Sequence, residues 1–144
     1  MQVMPIQENK FEYRGYDCVV LFMPMCHRCG YVGIPIGHKY YKMNYNDIDI
    51  ECHGGLTYSR DYLIGQNDEN KWWIGFDCAH YGDGHDWKTA REYWKDNPKQ
   101  LEYINQEEEF YEEFYKSLDD VHHSPCTLNY VEDECQHIVD QLAE

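Results

Sequence analysis

The stretch that most limits what this chain can fold into is Trp72-Trp73-Ile74-Gly75-Phe76-Asp77-Cys78-Ala79-His80-Tyr81-Gly82-Asp83. Trp72, Trp73, Ile74 and Phe76 are β-formers. Apolar side chains at odd and even positions alike predict a strand buried on both faces. The second half is a polar turn, with a carboxylate, a thiol, an imidazole and a second carboxylate within seven residues. A rigid strand that hands reactive side chains to a loop is a common way to build a site.

The rest of the chain supplies neighbours for that strand. Residues 1–14 read as a polar lead-in. Cys18 to Met25 is an apolar run ended by Pro24, and Tyr31 to Pro35 a second one. Around the turn Cys26-His27-Arg28-Cys29-Gly30 they predict a hairpin, with Pro35 making the second strand an edge strand or a short one. Ile48-Asp49-Ile50-Glu51-Cys52-His53 alternates apolar and polar, which predicts a half-buried strand. Gly54-Gly55 breaks it, and Leu56-Thr57-Tyr58 resumes extended chain. Tyr40, Tyr41 and Tyr45 are expected to cover the core.

Beyond residue 85 the period changes to that of helices. Trp87, Ala90, Arg91 and Trp94 fall at helical spacing, and Asn97-Pro98 ends that segment. Leu101 to Leu118 predicts a second helix that buries Leu101, Ile104, Phe110, Phe114 and Leu118 and turns a Glu-rich face to solvent. The last helix is the clearest. Ser124 or Thr127 caps it, Pro125 suits its first turn, and Leu128, Val131, Cys135, Ile138, Val139 and Leu142 make one apolar stripe. Strands first and helices after predict a single α+β domain over residues 1–144. Its sheet is small and mainly antiparallel, of about four strands, with the C-terminal helices on one face.

Charge and cysteine usage narrow the function classes. The formal net charge is −15. Such a surface disfavours non-specific nucleic-acid binding, which needs Lys and Arg to displace counterions from phosphates. Seven cysteines, an odd number, without a basic and apolar leader argue against a disulfide scaffold. No stretch approaches the roughly 20 apolar residues of a membrane span. The expectation is a cytoplasmic protein with reduced thiols and no membrane partner.

Three groups of residues carry chemistry. Cys26-x-x-Cys29 can hold zinc or exchange thiols, but a structural zinc site needs two further ligands. His53-Gly54-Gly55-Leu56-Thr57 places an imidazole at a strand end, where glycines allow close approach. Asp77, His80 and Asp83 are ligand types for a divalent ion such as zinc. Adjacent residues of a strand point to opposite faces, so Asp77 and Cys78 do not share a pocket, and Asp77 is favoured over Cys78. If the two loop ends meet, His53, Asp77, His80 and Asp83 form one metal-type set. Gly54, Gly55, Thr57, Tyr58, Tyr81 and Trp73 would then wall a small-ligand pocket. Cys26 and Cys29 are the alternative metal pair.

Several of these motifs occur together in a pattern met elsewhere. Cys29-Gly30-Tyr31-Val32, Pro35-x-x-His38, His53-Gly54-Gly55-Leu56-Thr57-Tyr58 and Trp72-Trp73-x-Gly75-Phe76-Asp77-Cys78-Ala79-His80-x-Gly82-Asp83 carry it. Tyr130-Val131-x-x-Glu134 and Gln141-Leu142 close it. With these motifs the chain resembles a family of small phage- and prophage-encoded proteins, over most of its length except residues 86–123. The family has no settled activity, so the resemblance implies a setting, the host cytoplasm, and no catalytic residue. Three readings stand beside it: a pocket that binds a small ligand such as a nucleotide, with or without a divalent metal; a metal-dependent hydrolase; and an acidic protein that blocks a nucleic-acid-binding host partner.

Overall fold

The computed structural model describes residues 3–119 and 123–144. Five strands form one antiparallel sheet: β1 (Ile6–Tyr13), β2 (Tyr16–Phe22), β3 (Arg28–Pro35), β4 (Tyr58–Arg60) and β5 (Lys71–Asp77), in the order β1-β2-β3-β5-β4. Three helices follow: α1 (Trp87–Tyr93), α2 (Pro98–Ser117) and α3 (Leu128–Leu142). The α+β architecture is the one expected, with five strands in place of about four. Among the described residues no helix is long and apolar enough to cross a membrane.

Strand β5 lies between β3 and β4, and its side chains alternate between two cores. Ile74 and Phe76 join Cys18, Val20, Val32 and Ile34 on the face covered by α3. Trp73 joins Val19, Leu21, Cys29 and Tyr31 on the other face, under Leu63. The predicted stripe of α3 is the lid of the first core: Val131, Cys135, Ile138, Val139 and Leu142 are all buried there. Thr127 caps the helix, its side chain accepting from the Tyr130 N–H at 3.1 Å. A third cluster around Phe22, Cys26, Ala90, Trp94 and Ile104 seats α1 and α2 at the end of the sheet.

Four expectations are corrected. The polar lead-in contains β1, while Met1 and Gln2 at its head lie outside the described residues. Strand β3 is neither an edge nor short: it is central and eight residues long, and Pro35 is tolerated because it is the strand's last residue. Residues 48–53 form no strand. Their backbone instead meets side chains of α3: the Glu51 N–H donates to Gln141 Oε1 (2.8 Å), Gln141 Nε2 donates to the Glu51 carbonyl (2.7 Å), and the His53 N–H donates to Glu134 Oε1 (2.7 Å). Finally, Phe110, Phe114 and Leu118 are exposed, because α2 runs on past the sheet; Ile104 is its buried apolar residue.

Candidate metal centre at the end of β5

His53, His80 and Asp83 come together although β5 and the 48–53 segment are not paired. His53 Nε2 lies 3.0 Å from both carboxylate oxygens of Asp83. Asp83 also accepts from the His80 backbone N–H (3.0 Å) and faces His80 Nδ1 at 3.0 Å. The other ring nitrogen of His53, Nδ1, is 2.8 Å from the Tyr130 hydroxyl. With the Glu134 contact to its backbone, His53 is fixed at three points, two of them on α3.

Asp77 and Cys78 point to opposite faces, as strand geometry requires, but with the reverse assignment to the one expected. Cys78 is 2% exposed and turns into the core beneath α3, its sulfur within 4.8 Å of Cys126 Sγ and of a His53 ring nitrogen. Cys126 Sγ is 3.8 Å from His53 Nε2. Asp77 turns to the far face, into a groove of about 520 Å³ that Thr57 and Tyr58 also line. There its carboxylate accepts from Thr57 Oγ1 (3.0 Å) and the Ala79 N–H (3.1 Å), and it reaches His80 only at 3.7 Å.

The remaining expected pocket residues disperse. Trp73 is buried in the far core, Tyr81 is 68% exposed, and Gly55 faces open space. Gly54 has a definite job: at φ +67° it lies flat against the His80 ring, where a Cβ would overlap the imidazole. Gly54→Ala is expected to cost about 2–3 kcal/mol, from left-handed backbone strain plus the overlap. Gly55→Ala, at φ +84° with nothing nearby, should cost only about 1 kcal/mol. Urea unfolding of the two variants measures the difference.

Cys26 and Cys29 do not make a metal pair. Cys26 packs with Phe22 and Ala90, Cys29 with Val19 and Trp73. The two thiols thus sit in different cores, and neither belongs to a three-donor group among the described residues.

Two three-donor groups therefore share one imidazole: His53-Cys78-Cys126 and His53-His80-Asp83, each with its ligand atoms within 4.8 Å of one another. Their electrostatics differ. Burial opposes charge on His53, but the Asp83 hydrogen bond and the neighbouring Cys126 and Glu134 outweigh it and raise its pKa. Burial likewise works against ionised Asp83, and hydrogen bonds from His53 and His80 hold its pKa below the ordinary value. Of the two thiols, Cys126 is the one favoured as thiolate, by the hydrogen bond from Cys78 and the nearby His53; Cys78 is pushed the other way.

Cys126 is the member that the sequence hides. It has no ligand-type spacing to another residue, and Ser124, Pro125 and Thr127 around it read only as a helix start. Comparisons with family models, curated proteins and solved structures find no match to the chain.

Proposed function

We propose that this chain is a zinc-class metalloprotein whose ion is held by His53, Cys78 and Cys126 and whose fourth coordination position receives a small oxygen-bearing ligand. The observation that carries it is the convergence of two sulfurs and an imidazole nitrogen from three separate segments, within 4.8 Å. Ligand atoms of a tetrahedral zinc site lie roughly 3.3–3.8 Å apart, given bonds of about 2.0–2.3 Å. The His53–Cys126 distance of 3.8 Å already falls there. His53 has the outer contact such a ligand needs: with Nε2 on the ion, Nδ1–H donates to the Tyr130 oxygen and fixes the ring. Three protein ligands with an open position are the pattern of sites that bind or activate something.

Asp83 favours hydrolysis as a second reading. Its carboxylate lies 3.0 Å from the same His53 Nε2 that Cys126 faces, with His80 Nδ1 behind it, and so would stand as a base beside a water that an ion there would activate. The phage-type setting given by the resemblance is compatible with either use.

The test is metal content of protein purified from zinc-supplemented cells, with cobalt substitution to detect thiolate ligation spectroscopically. About one equivalent of metal is expected, falling below roughly a tenth in His53→Ala and Cys126→Ser and staying near one in His80→Ala. Metal retained in Cys126→Ser, or a folded wild type that takes up none, defeats the proposal.

A further inference from the structure

A second cavity, of about 420 Å³, opens between the latter half of α2 and the loop leading from Asp83 into α1. Its size is that of a small-ligand pocket. Its walls are rings: His85 stacks on Trp87 with centroids 4.5 Å apart and planes at 10°, and meets Tyr111 at 4.4 Å and 38°. Tyr111 continues the stack to Tyr115, at 6.0 Å and 29°. His123 stacks on Tyr115 in turn, at 4.3 Å and 24°, so three segments contribute to one aromatic surface. The part of α2 that carries it has no role in the sheet cores.

Two charged residues, both solvent-exposed, stand at the rim of that surface. Glu112 and Lys116 both line the cavity, one helical turn apart. Side chains so spaced stand about 5–6 Å apart at Cβ. A carboxylate, which can accept two hydrogen bonds, and an ammonium, which donates, can therefore reach one ligand edge. The complementary ligand edge has two adjacent N–H donors next to a carbonyl oxygen. Among nucleobases that is the edge of guanine, whose flat ring also suits a stacking wall.

We infer that this pocket binds a guanine-type base, with the ring against His85 and Tyr111, its N–H pair on Glu112 and its carbonyl on Lys116. Stacking on aromatic side chains tolerates any base, so Glu112 and Lys116 carry the choice. The pocket uses none of the metal donors, and its occupancy stands or falls apart from theirs.

Calorimetric titration of the intact protein with GMP and AMP tests this. GMP is expected to bind at least about tenfold more tightly than AMP, a margin that one paired polar contact can supply. Glu112→Gln should erase the preference and Tyr111→Leu should weaken both nucleotides about tenfold or more. Both residues lie outside the sheet cores, and circular dichroism is the check that the variants fold. Cys126→Ser should bind GMP like wild type, which separates this result from the fate of the metal. No heat with GMP in the millimolar range, equal affinity for GMP and AMP, or a GMP affinity untouched by either pocket variant overturns the assignment.

Discussion

Arg28→Met is expected to lower the unfolding free energy by about 3–5 kcal/mol, out of the 5–15 kcal/mol or so that such a chain possesses. Arg28 lies under the third core with its side chain 6% exposed. Its guanidinium donates through Nε to Glu8 Oε1 (2.6 Å), through Nη2 to Glu8 Oε2 (3.1 Å), and through Nη1 to Asp86 Oδ2 (2.8 Å) and the Cys126 carbonyl (3.0 Å). Methionine fills the volume but leaves the Glu8 carboxylate, 3% exposed, without its cation. The loss comes from that stranded charge, so Arg28→Met with Glu8→Gln should recover part of it, which a double-mutant cycle in guanidinium measures. Arg28→Lys should fall between, since an ammonium cannot make the fork. A single variant within about 1 kcal/mol of wild type would show that the network contributes little.

The same network sets an acid limit. Burial alone would raise the Asp86 pKa, but hydrogen bonds from Thr89 and Arg28 outweigh it and hold it below its ordinary value. The stabilisation it gives is complete above its unfolded pKa, near 4, and is lost as pH falls through the lower folded value.

How far these elements show in the sequence depends on what each side chain faces. β5 and α3 are legible because their partners are apolar layers, and apolar contact leaves a period. β1 is hidden because polar residues interrupt its inward side: Ile6, Phe11 and Tyr13 pack against the cores, but Glu8 and Asn9 stand between them. A bulge between Gln7 and Asn9 aims Glu8 at Arg28, and Asn9 donates to Glu132 on α3. The 48–53 segment alternates like a strand, but Ile48 joins the core beneath α3 while the backbone bonds to Gln141 and Glu134. Alternation reports burial on one side, not the nature of the hydrogen-bonding neighbour. Phe110 and Phe114 have helical spacing without a core to fill, because the sheet ends before the helix does.

The site divides along the same line. His53, His80 and Asp83 are legible as ligand types beside a strand end, and they do meet. Which of Asp77 and Cys78 faces them is a matter of strand parity, and parity alone leaves two solutions. The side occupied by α3 decides it, and that is a tertiary fact. Cys126 is invisible for a related reason: its place beside His53 depends on the backbone carbonyl held by Arg28 and on the cap of α3. Tyr130, Glu134 and Gln141, motif residues of no evident role in sequence, turn out to be what binds the 51–53 segment to α3.

Removing metal from the wild type should lower its melting temperature by about 10 °C, and restoring zinc should reverse the change. The proposed ligands lie on the 48–53 segment, at the end of β5 and just before α3, so an ion joining them closes two long loops of chain. A ligand that binds only the folded state stabilises by about 4 kcal/mol at a thousand times its Kd, and for a chain of this size each kcal/mol moves Tm by roughly 2–4 °C. Cys126→Ser nearly preserves volume and leaves the backbone contact from Arg28 in place. Its Tm should therefore sit near that of metal-free wild type and should not respond to zinc. Asp83→Asn, which leaves the three ligands intact, should still gain most of the zinc-dependent rise. Calorimetric scans of the three proteins with chelator and with zinc separate the cases. A zinc-dependent rise that survives Cys126→Ser would place the ion on the His53-His80-Asp83 group instead, with the thiols left as packing against α3.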